Sequence, residues 1–277
     1  MVRYSSKKNR IIRSTGYYLT VYIILLAVTF PFIWMVLSSF KLQSQMLNMQ
    51  YLFKFDATSR NYRELFSNYS FFRPILNSFI IALVSTLLSL VLALPASYAI
   101  ARFGMKMTSL MLLVVRMIPA ITFLVPWFVL FSFFGIVDTH FGLILAHMVV
   151  ALPFIIWIMV PFFESLPKEL EESAAVDGSS RFNSFLKIIL PISGPGIVTA
   201  SILSFVFSWN NFMFGIILSG RVTKTLPVAI YGFISYTDIN WGGLMAGSVV
   251  VTIPVIIISL FLQKYIIKGL TAGAVKG

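Results

Sequence analysis

Apolar residues run through this chain in long stretches with no polar face to interrupt them. Six such stretches, 17–40, 77–101, 107–134, 141–163, 196–219 and 243–262, each hold about 20 or more mostly apolar residues. At about 1.5 Å rise per residue, each is long enough as a helix to cross about 30 Å of hydrocarbon. A seventh stretch, 226–236 (LPVAIYGFISY), has 11 residues and suits an interfacial or re-entrant piece better than a span. The pattern therefore predicts an all-α membrane protein with six transmembrane helices. The first apolar run follows a basic amino end and is longer than a signal peptide's apolar region, so it reads as a retained helix. No segment between the runs exceeds about 36 residues, too short to build a core of its own. The expected organisation is 1–76 as amino end, first helix and first outer loop; 77–267 as a five-helix core with a loop at 164–191; and 268–277 as a tail.

Composition agrees with that solvent. Hydrophobic residues make up 58% of the 277 residues and charged residues 11%, against about 45–50% and about 25% in soluble domains; mean hydropathy is +0.92. The net charge of +12 reads as topology rather than nucleic-acid binding. Six spans put both termini on one side, and five Lys/Arg in the first 15 residues place that side in the cytoplasm. Predicted inner segments then carry 13 Lys/Arg and outer ones 7, with Arg116 left inside a span.

The positions of the acids narrow the function. All nine (Asp56, Glu64, Asp138, Glu164, Glu169, Glu171, Glu172, Asp177 and Asp238) fall in loops or at span ends. Ion-driven carriers commonly use carboxylates within the membrane, so a secondary carrier is disfavoured. There is no Cys, there are two His, and there is no HExxH, which disfavours thiolate or metal chemistry and leaves a membrane enzyme without an acid/base set. A phosphate loop needs GxxxxGK[ST]; the chain has no Gly-Lys pair. If the protein does uphill work, the energy must then come from another chain.

Five of the nine acids lie in the loop 164–191 (ESLPKELEESAAVDGSSRFNSFLKIILP). Ser165 as N-cap, Pro167 in the first turn and Glu169 near the helix start predict a short helix, which Gly178 stops. Leu166, Leu170, Ala174 and Asp177 fall on one face, and Ser173, Ala174 and Ala175 are small enough for another surface to approach. Such a helix is either a solvated connector or a docking element. Within the spans, Arg116 sits about 14 Å deep, as a residue facing a cavity or gate, or as a guanidinium satisfied by the carbonyl that Pro119 frees on Val115 or by a partner chain. Trp209, Asn210 and Asn211, near the middle of the fifth span, could offer a flat face and amides to a neutral hydroxylated solute or serve as interhelical hydrogen-bonding residues. His147 reads as a packing residue.

The segment Glu171-Glu172-Ser173-Ala174-Ala175-Val176-Asp177-Gly178, followed by Ile188-Ile189-Leu190-Pro191, resembles the EAA loop of ABC importer permeases, with Ser173 where the first Ala is usual. Arg116-Met117-Ile118-Pro119, Leu152-Pro153-Phe154 with Trp157, Trp209-Asn210-Asn211-Phe212 and the tail Gly269–Gly277 are similar to the maltose/multiple-sugar branch. The resemblance implies the ABC type-1 importer permease fold in a bacterial or archaeal cytoplasmic membrane. It implies a second permease, two ATP-binding-cassette subunits that hold ATP and Mg, and an external sugar-binding protein. This chain would bind no cofactor or metal of its own and no nucleic acid. It also implies an ATPase-coupling set, Glu171, Glu172, Ala174, Asp177 and Gly178, with Glu171 and Glu172 meeting donors on the ATPase. Arg116, Trp209, Asn210 and Asn211 are then candidates for the substrate pathway.

Overall fold

The structure, a computed structural model, describes the backbone of residues 7–272 and the side chains of residues 14–260. The described residues are almost entirely helical. The principal elements are α1 (Lys7–Ser39), α2 (Arg60–Ser67), α3 (Phe72–Phe103), α4 (Lys106–Met117), α5 (Leu124–Phe133), α6 (His140–Ser165), α7 (Glu169–Val176), α8 (Arg181–Ile192), α9 (Gly194–Trp209), α10 (Met213–Leu218), α11 (Leu226–Tyr231) and α12 (Trp241–Ala272). Four helices are individually long and apolar enough to span a bilayer, in α1, α3, α6 and α12. Two further spans exist only as bent pairs. The first joins α4 to the segment Ala120–Phe133 at 83°, and the second joins α8 to α9 at 76°. With each bent pair taken as one span, the described residues hold six apolar crossings, two of them broken; the unbroken ones number four. The 226–236 stretch forms the six-residue α11 and turns, too short to cross a bilayer.

The two breaks have local causes. At Ile118-Pro119 the proline lacks an N–H and pushes the residue before it to extended backbone; Ile118 has ψ 123°. At the second break, Ser193 and Gly194-Pro195-Gly196 follow a π-helical turn over Phe185–Ile189, and Pro195, in the first turn of α9, has no N–H to continue the preceding helix. Pro95, Pro153 and Pro254 lie within continuous helices, as lipid-spanning helices tolerate.

The chain divides into two compact units. One comprises the residues up to Tyr69 with Phe233–Val250. None of the apolar window of α1 is buried by the rest of the chain, so its side chains are free for lipid or another subunit. Its end is tied down: Asn61 Nδ2 donates to the carbonyls of Ser39 and Lys41, both at 2.8 Å, and Ser39 and Tyr62 share a hydroxyl bond at 2.7 Å. Lys41 is buried. Its ammonium donates to the Leu52 carbonyl at 2.8 Å and lies over the rings of Trp34 and Phe55, and burial pulls its pKa down.

The other unit comprises Ser70–Gly232 and the chain from Val251. Here α3, α6 and α9 pack together around Leu90, Ala93, Ile155, Met159, Phe163, Ile189 and Ala200. Small residues recur every four positions on α3 (Ser85, Ser89, Ala93, Ser97) and on α9 (Gly196, Ala200, Ser204, Ser208), and all eight are buried. Small side chains let helix backbones approach closely in an apolar solvent, where hydrophobic burial gives no drive between helices. The Ser85 and Ser208 hydroxyls meet at 3.3 Å. At Gly196 an added Cβ would lie 2.7 Å from the Phe162 ring of α6, so only glycine fits there without displacing that ring.

Candidate coupling face and membrane-embedded polar residues

The loop at 164–191 folds around α7. Three carboxylates, Glu169, Glu171 and Glu172, occupy its first turn, where they complement the helix dipole. Its carboxyl end closes as a Schellman motif: Gly178 N–H reaches Ala175 O at 3.1 Å and Ser179 N–H reaches Ala174 O at 2.9 Å. Gly178 has φ +77°, the left-handed conformation that glycine adopts without a Cβ penalty. The helix stop expected at Gly178 is present. The start lies elsewhere than expected. Ser165 belongs to the end of α6, where its hydroxyl donates to Phe162 O at 2.7 Å, and α7 begins after Lys168. The reason is Pro167, which separates the two helices.

The expected common face of α7 is divided. Ala174 is buried in the chain's own packing and Leu166 packs partly against the core, whereas Leu170 and Asp177 are exposed. The surface left open comprises Glu172, Ser173, Ala175, Val176, Asp177 and Gly178. Glu171 points inward. Its carboxylate accepts from Arg102 Nε at 2.5 Å and from the Tyr98 hydroxyl at 2.8 Å, both on the last turns of α3. A cleft of about 320 Å³ beside this contact is lined by Tyr98, Arg102, Lys168, Glu171, Glu172 and Arg181, among others.

Arg116 ends α4 at the first break. Its guanidinium lies 4.8 Å from the ring centre of Phe154 and 4.4 Å from that of Trp157, one turn apart on α6. The Val115 carbonyl, expected to be freed by Pro119, accepts instead from Ile118 N–H at 3.3 Å. The cation is therefore held by two aromatic faces, and its residue is exposed on this chain. Trp209 is 2% exposed and donates Nε1–H to Val251 O at 3.0 Å, so its indole ties α9 to α12. Asn210 and Asn211 mark the end of α9 rather than the middle of a helix. Asn210 Nδ2 donates to Val206 O at 2.9 Å, and Asn211 Oδ1 accepts the Phe214 N–H at 3.0 Å, capping α10. Their amides turn the chain, and Asn210 remains exposed. His147 is buried, with Nδ1 and the Ser208 hydroxyl 2.5 Å apart, in keeping with a packing role. Among the described residues no group of three or more His, Cys, Asp or Glu could hold a metal ion.

Asp138, between α5 and α6, carries a role that its local sequence does not announce. Its Oδ1 accepts from Gly220 N–H (2.8 Å), Thr223 N–H (2.9 Å) and the Thr223 hydroxyl (2.7 Å), and its Oδ2 accepts from Val222 N–H (3.1 Å). Burial alone would raise its pKa, but bonds from Thr223, Val222 and Gly220 outweigh it and hold the carboxyl at about 2. A Cβ at Gly220 would sit 2.7 Å from Asp138 Oδ2, so the close approach requires glycine. Asn77 donates to the carbonyls of Val222 and Lys224, and Ser78 Oγ accepts Leu226 N–H. The loop from Ser219 to Leu226 is thereby fastened to the start of α3 and the turn before α6. The only signals in the sequence were an isolated Asp before the capping Thr139 and a glycine 82 residues later.

With this geometry in hand, the relatives are informative. Residues 85–272 match the family described as binding-protein-dependent transport system inner membrane component. The trehalose/maltose transport system permease protein MalG of Thermococcus litoralis is 36% identical over 90% of this chain and 91% of its own length. The sulfoquinovosyl glycerol transport system permease protein SmoH of Agrobacterium fabrum is 33% identical over 92% and 91%. In three dimensions, a chain of a bacterial ABC transporter that imports the polysaccharide alginate superposes with a TM-score of 0.77 over 95% of this chain and 99% of its own, at 21% identity. The helical fold with its two broken crossings and the match across more than half of the sequence lead to one assignment: the chain belongs to the binding-protein-dependent transport system inner membrane component family and is a multi-pass permease subunit of an ABC transporter.

Proposed function

We propose that this permease forms half of a membrane pathway for a sugar or oligosaccharide and receives its driving force from cytoplasmic ATPase subunits at α7. The carrying observation is α7 itself, a short helix whose acidic start and exposed Glu172–Gly178 surface are fixed to the membrane helices from behind. Within this reading, Glu172, Asp177 and Gly178 meet the ATPase, while Glu171 and Ala174 hold the helix in place. ATP and Mg belong to the partner subunits. Basic residues concentrated at the amino end support a cytoplasmic side for both termini. A second permease completes the pathway, and an external binding protein delivers the solute. The relatives named for trehalose/maltose and sulfoquinovosyl glycerol support a carbohydrate as cargo.

Arg116 fits the pathway best of the membrane-embedded candidates. Its guanidinium, steadied on the Phe154 and Trp157 rings, keeps N–H donors for the hydroxyls of a pyranose, and a charge at this depth is not expected to face lipid. Trp209, Asn210 and Asn211 support the pathway by shaping the α9–α10 break that borders it.

The test is uptake in proteoliposomes that hold this chain with its partner permease and ATPase. A panel of radiolabelled disaccharides is offered with the binding protein. Accumulation that needs ATP and is blocked by vanadate supports the reading. Vanadate-insensitive uptake by this chain alone, driven by an ion gradient, would overturn it in favour of a secondary carrier. ATP-dependent uptake of a non-carbohydrate solute only would keep the transporter and reject the sugar.

A further inference from the structure

We infer that Arg102 and Tyr98 are positioning residues that lock α7 to α3, so that a force on the docking helix is delivered to one specific membrane helix. The inference rests on the reading of α7 as the ATPase-docking element.

Arg102 occupies the last turn of α3, and its side chain is 7% exposed against 20% for Glu171. Its Nε bonds to Glu171 Oε1, and its Nη2 donates to the Leu166 carbonyl at 3.2 Å. One guanidinium therefore grips both sides of the short 166–168 linker, where α6 ends and α7 begins. A planar fork can make both contacts at once; an ammonium on a flexible stem cannot hold the same geometry. Tyr98, one turn earlier, donates its hydroxyl to Glu171 Oε2 at 2.8 Å, and its ring packs against Phe163 of α6 at 5.9 Å and Phe185 of α8 at 4.8 Å. The end of α3 thus touches the segments on both sides of α7 as well as α7 itself. Among the described residues it makes the ion pair that links α7 to a membrane helix.

The rest of α3 gives that lock a mechanical meaning. It is a single helix of 32 residues, about 48 Å long. Its opposite end holds the Ser219–Leu226 loop through Asn77 and Ser78. A displacement of α7 by a docked ATPase would pull or rotate this rod, and the rod would carry it across the membrane. Glu171 on this account faces its own chain, and Glu172 beside it faces the partner.

The experiment uses the assembled transporter in proteoliposomes and compares uptake with ATP hydrolysis for Arg102→Lys, Glu171→Gln, Tyr98→Phe and the reversed pair Arg102→Glu with Glu171→Arg. Glu172→Arg serves as the docking control. A positioning role predicts that ATPase subunits still co-purify and hydrolyse ATP, while uptake per ATP falls about tenfold in the Arg102 and Glu171 single variants. The fall is smaller in Tyr98→Phe, which keeps the ion pair and guards against a folding defect. The reversed pair recovers part of the ratio, because it restores the ion pair but not the bond to Leu166. A wild-type ratio in both single variants would overturn the inference. So would a proportional loss of assembly, hydrolysis and uptake, which marks the contact as structural only. If Glu172→Arg leaves ATPase co-purification unchanged, the docking reading beneath it fails instead.

Discussion

Replacing Asp138 by Asn isolates the energetic value of the staple between the α5–α6 turn and the Ser219–Leu226 loop. Asp138 has φ 55°, and Asn tolerates that left-handed backbone about as well as Asp, so the substitution leaves the turn unstrained. An amide keeps one acceptor oxygen. Placed at the Oδ1 position it retains the Gly220 and Thr223 donors without their charge assistance, and its NH2 faces Val222 N–H, donor against donor. A carboxyl ordinarily near 3.8 and held at about 2 is stabilised in its charged form by about 2 kcal/mol, which partial exposure to solvent reduces to about 1 kcal/mol. For a chain of this size that corresponds to about 2–4 °C in apparent melting temperature, read by tryptophan fluorescence in detergent at a fixed heating rate. The pKa is depressed in the folded protein, so the stabilisation is complete above the unfolded value near 3.8 and disappears as pH falls through about 2. The gap between wild type and variant should stay constant from pH 8 to pH 5 and close only below about 4. Locally, Arg221 and Lys224 are exposed on the stapled loop, and trypsin should cut there about fivefold faster in the variant, the factor for about 1 kcal/mol of easier opening. Identical melting and cleavage, or a gap that opens between pH 5 and 8, would refute the reasoning.

Three further outcomes follow from particular contacts. Gly178→Asp places a side chain at φ +77° where an added Cβ meets nothing within 4 Å, and Asp is among the residues that visit that region, so the backbone cost is at most about 1 kcal/mol and the main change is a charged side chain on the exposed docking surface; membrane insertion should be normal and uptake lost, and wild-type uptake with normal ATPase co-purification would remove Gly178 from the coupling set. Gly196→Val drives a side chain into the Phe162 ring, and its yield of monodisperse protein in detergent should fall well below that of Gly196→Ala, an order that equal yields would contradict. Arg116→Met removes the cation from the Phe154 and Trp157 faces; uptake should fall while assembly by co-purification is unchanged, whereas a loss of assembly would place Arg116 at the partner permease instead.

Much of the architecture was legible because it depends on local properties. Apolar run length sets where helices can cross a bilayer, and the four continuous spans lie where the runs are. The end of α7 at Gly178 was legible because the left-handed turn needs a residue without Cβ, whatever lies around it. The buried small residues at four-residue spacing on α3 and α9 are visible only once the packing is known, because a count of apolar residues passes over a period in Ser, Ala and Gly. The two broken crossings were not legible either, since hydropathy sums side chains and a break is a property of the backbone. Pro119 marks the first, but the Val115 carbonyl expected to be left to Arg116 is taken by Ile118 N–H, and the guanidinium settles on rings 38 and 41 positions away along the chain.

Sequence alone determined the solvent of this protein, the positions of its apolar runs and the helix stop at Gly178, because each is written in consecutive residues. Tertiary structure decided what the polar side chains do. Glu171 and Arg102 are 69 residues apart, Asp138 and its partners 82 to 85, and Trp209 and Val251 42. A buried carboxylate or indole must find a hydrogen-bond partner. In a helix bundle that partner comes from whichever helix packing brings alongside, and no spacing along the chain records it.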